Sequence, residues 1–98
     1  MSDTHTVVCD TVPGEEGYAR FSFGVTCDQA LAIWNLCRDA GPPVRLNGER
    51  EWVEVRPDGH VGYVNERQPG AGRGSILTRA SVIAAMRGVR ELCRDGDD

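Results

Sequence analysis

The sequence predicts an α+β domain in the order β-β-α-β-β-α, a four-stranded antiparallel sheet with two helices packed on one face. Three observations carry that expectation. Two pairs of short segments alternate apolar and polar residues around clusters of turn formers, the mark of hairpins. Each hairpin is followed by a stretch whose apolar residues recur at helical spacing. At 98 residues the chain has room for one core, since a domain of this size buries roughly 60–70% of its unfolded surface. The expectation is therefore one domain over residues 1–98, with a disordered acidic tail at Asp95–Asp98.

The first strand is predicted from Thr4 to Asp10, ended by the breakers Pro13-Gly14-Glu15-Glu16-Gly17. The second runs from Tyr18 to Val25. Ala19, Phe21, Phe23 and Val25 share one face, and Tyr18, Arg20 and Ser22 share the other. Thr26-Cys27-Asp28-Gln29 then reads as a capping box, with the threonine hydroxyl and the glutamine side chain meeting each other's backbone N–H. The helix it opens reaches about Ala40, where Gly41 is expected to supply a left-handed stop and Pro42-Pro43 prevent continuation. Ala30, Leu31, Ile33, Trp34, Leu36 and Cys37 form its apolar arc, which places Trp34 in the core.

The second hairpin joins Glu51–Arg56 to His60–Asn65 through Pro57-Asp58-Gly59. A three-residue loop ending in Gly suits a type I turn closed by a left-handed bulge. That loop sets the register: Val53 and Val55 lie opposite Tyr63 and Val61 on one face, with Trp52 and Val64 on the other. Residues 67–75 read as a Gly-rich loop feeding a last helix from about Thr78 to Arg94. Val82, Ala85, Met86, Val89, Leu92 and Cys93 make its apolar stripe. Arg79, Arg87, Arg90 and Arg94 collect on one side, beside a ridge of Ala80, Ala84 and Gly88.

Composition narrows the functional classes. No apolar run reaches the ~20 residues of a membrane span, and Met1–His5 has neither a basic nor an apolar targeting region. The expected setting is the cytoplasm, with no membrane partner. Net charge is −4, which disfavours nucleic acid, yet residues 67–94 alone carry +5. All eleven basic residues are arginine, which points to a GC-rich genome, a bacterium or one of its phages, because surface chemistry serves lysine equally well. Cys9, Cys27, Cys37 and Cys93 are irregularly spaced, and even joined by His5 or His60 no pair has knuckle spacing. Reduced, mostly buried thiols are expected, with no metal and no cofactor.

The loop is the most ligand-like segment. A Gly-rich turn before a helix offers backbone N–H groups to an anion, so Arg67, Gly70, Gly72, Arg73, Gly74 and Ser75 are the candidate phosphate contacts. Arg67-Gln68-Pro69-Gly70-Ala71-Gly72 resembles the R/Q-x-x-G-x-G/A turn with which a class of acetyltransferases holds the coenzyme A pyrophosphate. The likeness spans six residues, and the further strands of that family have no counterpart here. It implies a coenzyme A-like ligand. Trp52 to Val64 resembles the central hairpin of bacterial SH3-type domains, although those barrels lack two long helices. Neither histidine has a partner suggestive of hydrolysis. Ser22, Ser75 and Ser81 lack a nucleophile-elbow context.

The leading functional expectation is a small module that binds another protein without catalysis, acting on a host factor. Its candidate contacts are Tyr18, Arg20, Trp52 and Val64 on the outward sheet face, because Trp, Tyr and Arg are the usual interface anchors. Arg79, Arg87, Arg90 and Arg94 form a second candidate surface, for a protein, a second copy of the chain, or nucleic acid.

Overall fold

The computed structural model describes residues 4–13, 19–46, 50–66 and 74–96. The class is α+β. Strands β1 (His5–Asp10) and β2 (Arg20–Val25) lead into helix α1 (Cys27–Asp39). Four strands follow, β3 (Val44–Arg45), β4 (Glu51–Val55), β5 (Val61–Asn65) and β6 (Gly74–Leu77), and then helix α2 (Arg79–Gly96). Strands β3-β4-β5-β6 form a four-stranded antiparallel sheet, and β1-β2 a separate two-stranded ribbon.

The membership of the sheet differs from the sequence expectation. The two hairpins are not partners. The second hairpin is extended on one side by β3 and on the other by β6. Among the described residues the first joins it through one bridge, Thr11 to Leu77. There Thr78 N–H donates to Asp10 O and Val12 N–H donates to Ile76 O, both at 2.9 Å. Both added strands are too short for a period-two signal: β3 has two residues behind Pro42-Pro43, and β6 four residues in a Gly-rich stretch.

Within each hairpin the local reading holds. Val7 faces Phe23 and Cys9 faces Phe21 across the ribbon. Val53 pairs with Tyr63, Val55 with Val61 and Trp52 with Val64. Gly59 adopts φ 92°, the left-handed conformation the turn requires. Gly59 N–H donates to Arg56 O and Arg56 N–H donates to His60 O. His60 N–H donates to Asp58 Oδ1, and this bond is the main reason the exposed Asp58 carboxyl titrates below its ordinary value.

Helix α1 begins as its sequence dictates. Thr26 N–H donates to Gln29 Oε1 at 2.9 Å and Gln29 N–H donates to Thr26 Oγ1 at 3.2 Å. It ends one residue earlier than expected. Ala40, and not Gly41, takes the left-handed position (φ 53°, ψ 51°), its N–H donating to Leu36 O. Pro42 and Pro43 follow closely enough to leave the chain no further helical residue. Helix α2 continues past Arg94 to Gly96, so the start of the expected tail is helical.

Ribbon, sheet and helices share one core. Val7, Cys9, Phe23 and Val25 join Val53, Val61, Tyr63 and Leu77, and α1 adds Ala30, Ile33, Leu36 and Cys37. Helix α2 contributes Val82, Met86 and Val89. Phe21 and Phe23 approach the Tyr63 ring at 4.8 and 5.3 Å between centroids, which brings the inner faces of ribbon and sheet together. Two members of the predicted helix arcs lie outside this core, Leu31 and Leu92, exposed by 43% and 61%. A helical arc wider than its contact surface leaves its flanks in water.

Two backbone positions give stability tests. Ala40→Gly removes the Cβ penalty of a left-handed residue and is expected to raise stability by about 0.5–1 kcal/mol. Gly59→Ala imposes the same penalty and is expected to cost about 1–2 kcal/mol. Urea midpoints at constant m value read both.

Candidate functional site

Among the described residues, the outward face of β3–β6 and the corner where β1, α1 and α2 meet both combine accessible side chains with defined geometry.

Antiparallel alignment builds the first. Arg45, Trp52, Val64 and Gly74 form one cross-strand row, and Glu54, Gly62 and Ile76 the next. Both helices pack on the inner side through the shared core. Trp52 and Val64 are half-buried and Ile76 is 40% exposed. Trp52 is held in one orientation from two sides. Its Nε1–H donates to Glu54 Oε1 at 2.8 Å, and the Arg45 guanidinium lies 4.8 Å from its ring centroid. At Gly62 the Arg56 methylenes come within ordinary contact of where a Cβ would stand. Arg56 Nε lies 3.6 Å from Asp58 Oδ2, an ion-pair distance too long for a hydrogen bond. The result is an apolar centre of Trp52, Val64 and Ile76 with a charged border.

Sequence reasoning placed Trp52 and Val64 on this face together with Arg20 and Tyr18. Trp52 and Val64 are direct neighbours. Arg20 is exposed but belongs to the ribbon, opposite Asp10, because the hairpins lie in different sheets. Tyr18 lies outside the described residues. Ile76 was missed because its strand is only four residues long.

Of the candidate anion contacts only the last two are placed. Arg67, Gly70, Gly72 and Arg73 lie outside the described residues, whereas Gly74 and Ser75 belong to β6. Along the chain β6 thus comes between residues 67–73 and α2, and the first turn of that helix is met by Thr78. Ser81 N–H donates to Thr78 Oγ1 at 3.4 Å and Val82 N–H donates to Thr78 O at 3.2 Å.

The arginine stripe also divides. Arg79, Arg87 and Arg94 are exposed, but Arg90 is half-buried, its guanidinium 4.2 Å from the Trp34 ring centroid. Arg38 approaches the same ring at 4.8 Å. Trp34 therefore sits in the seam between the helices, half-buried beneath two cations. The ridge of Ala80, Ala84 and Gly88 is exposed and does not form that seam.

The cysteines depart most from expectation. Cys27 and Cys93 form a disulfide, with Cα atoms 6.0 Å apart and 66 residues between them in sequence. Their helices run antiparallel, so the first residue of α1 meets the last turns of α2, a proximity no local spacing announces. His5, the first residue of β1, stands over the pair. Its Nε2 is 3.7 Å from Cys27 Sγ and 4.0 Å from Cys93 Sγ. Cys9 and Cys37 are free and buried, as expected of core thiols. Burial, with Asp10 and Cys37 adding to it, pushes the Cys9 thiol up to about 12, and burial raises Cys37 as well.

Among the described residues no helix is long and apolar enough to cross a membrane. No protein-family model matches the chain, and neither a curated protein nor a solved structure matches it.

Two measurements test the thiol assignments. Thiol titration is expected to find no reactive cysteine in the native oxidised protein, two after denaturation and four after denaturation with reduction. In the chain-entropy account, closing a loop this long stabilises by about 4 kcal/mol. Reduction is therefore expected to lower the urea midpoint sharply. Native Cys9 holds its proton to about 12 where the unfolded thiol loses it near 9.0. Its contribution to stability is accordingly intact below pH 9 and falls as pH rises through that window. Melting temperatures across it are expected to decline.

Proposed function

We propose that this chain is a protein-binding module that receives its partner on the outward face of β3–β6. Trp52 is the anchor, with Val64 and Ile76 beside it. What supports the reading is one observation: three apolar side chains on adjacent strands lie side by side, partly exposed, on the side of the sheet opposite the helices. A tryptophan already fixed by Glu54 and Arg45 loses little freedom on binding. Its ring has the size and amphipathic edge that interface hot spots favour. The border of Arg45, Glu54 and Arg56 fits the polar rim of such a patch, where charges orient a partner more than they hold it. The arginine-only basic composition fits a GC-rich bacterium or its phage as source, with a host protein as partner.

The test is proximity crosslinking in a GC-rich bacterial lysate, followed by affinity measurement with the crosslinked protein. Trp52→Ala and Ile76→Glu are each expected to weaken that complex by roughly thirtyfold, the ~2 kcal/mol of a hot spot. Ala84→Glu, on the exposed face of α2, is expected to leave it unchanged. Equal affinity in all four proteins defeats the reading.

A further inference from the structure

We propose that His5 Nε2, Cys27 Sγ and Cys93 Sγ are the protein ligands of a thiophilic divalent cation of the zinc class, bound when the Cys27–Cys93 disulfide is reduced. The corner then has two exclusive states, a disulfide or a metal centre.

The three donor atoms lie within 4.8 Å of one another. With ordinary zinc–sulfur and zinc–nitrogen bonds, the sulfur–nitrogen edge of a tetrahedral site is roughly 3.6 Å. His5 Nε2 already stands 3.7 and 4.0 Å from the two sulfurs. Opening the disulfide lets the sulfurs part to about the 3.8 Å edge of the same tetrahedron, which side-chain rotation supplies. Two thiolates and a neutral imidazole balance the charge of a divalent ion. This donor set leaves a fourth position for water at a partly exposed site.

Each ligand is held by a different element. His5 is fixed by the β1–β2 ladder opposite Val25. Cys27 is the residue after the Thr26 cap, at a helix N-terminus that favours a thiolate. Cys93 is presented by α2, whose buried face is anchored in the core through Met86 and Val89. These elements are distant in sequence, which is why no ligand-spacing motif exists.

The chemistry balances with a dithiol as reductant. Its sulfur attacks the Cys27–Cys93 bond, which breaks. The dithiol gives up two electrons and two protons and leaves as its cyclic disulfide, and two protein thiols form. The cation then replaces the two thiol protons, which pass to solvent. An oxidised dithiol reverses the sequence: the S–S bond re-forms and the cation leaves.

The experiment uses the full chain, reduced with a dithiol, desalted under argon and titrated with Co²⁺ as the visible probe. One Co²⁺ per chain is expected, with thiolate charge-transfer and tetrahedral bands that Zn²⁺ displaces, while the oxidised chain shows neither. His5→Ala keeps the disulfide and is expected to weaken cobalt binding in the reduced state by on the order of tenfold to a hundredfold. The Cys27→Ser/Cys93→Ser variant, which retains Cys9 and Cys37, is expected to give no such spectrum. If reduction unfolds the chain, Co²⁺ is expected to restore its far-ultraviolet circular dichroism. No tetrahedral spectrum from the reduced wild type, the same spectrum from the double-serine variant, undiminished affinity in His5→Ala, or failure of Co²⁺ to refold an unfolded reduced chain would each overturn the assignment.

Discussion

The parity of one hairpin governs most of this molecule. Gly59 closes the turn between β4 and β5 in a left-handed conformation, and the loop it completes fixes Val53 opposite Tyr63 and Val55 opposite Val61. Side chains alternate along a strand, so a slip of one residue exchanges the two faces entirely. In the observed register Val53 and Val61 are fully buried and Trp52 faces outward. The same parity places Glu51 on the inner side, where the Tyr63 hydroxyl donates to its carboxylate. A buried carboxylate is tolerable only with such partners. The core, this buried polar contact and the open tryptophan face are thus consequences of a single turn.

The helix pair imposes a second constraint. Helices α1 and α2 meet each other as well as the strands, and their seam is unusual in chemistry. Trp34 lies there beneath Arg38 and Arg90, where a tryptophan face attracts cations. At one end of the seam Cys27 and Cys93 join covalently. At the other, Cys37 lies close enough to Arg79 for that cation to oppose the upward pull of burial on the thiol. The disulfide sits at the protein surface and the free thiols in its interior, an arrangement that makes the surface pair the redox-accessible one. The two proposed sites are spatially separate, Trp52 on the outward sheet face and the Cys27–Cys93 pair at the corner of β1 with the helices.

Local signals in the chain were informative where structure is local. The Thr26–Gln29 box, the Pro57-Asp58-Gly59 turn and the face assignments of both hairpins involve residues a few positions apart. They follow from hydrogen-bonding geometry that any chain obeys. The helix stop was nearly right in place but wrong in residue, since Ala40 tolerates the left-handed turn that Gly41 was expected to make. Two of the three apolar members of the candidate interface were readable, Trp52 and Val64, because they share a hairpin. Ile76 was not, because β6 is recruited by the sheet and not by its own propensity.

The sequence by itself determined the class, the helices, the two hairpins and the inward or outward sense of their residues, because periodicity and turn chemistry act within a few residues of chain. Tertiary structure alone decided which strands became neighbours, that the first hairpin is tied to β6 at Thr11, and that Cys27 meets Cys93 beneath His5. Those pairings join segments as much as 88 residues apart. They are settled by how whole faces exclude water together, a balance to which no short stretch of sequence has access.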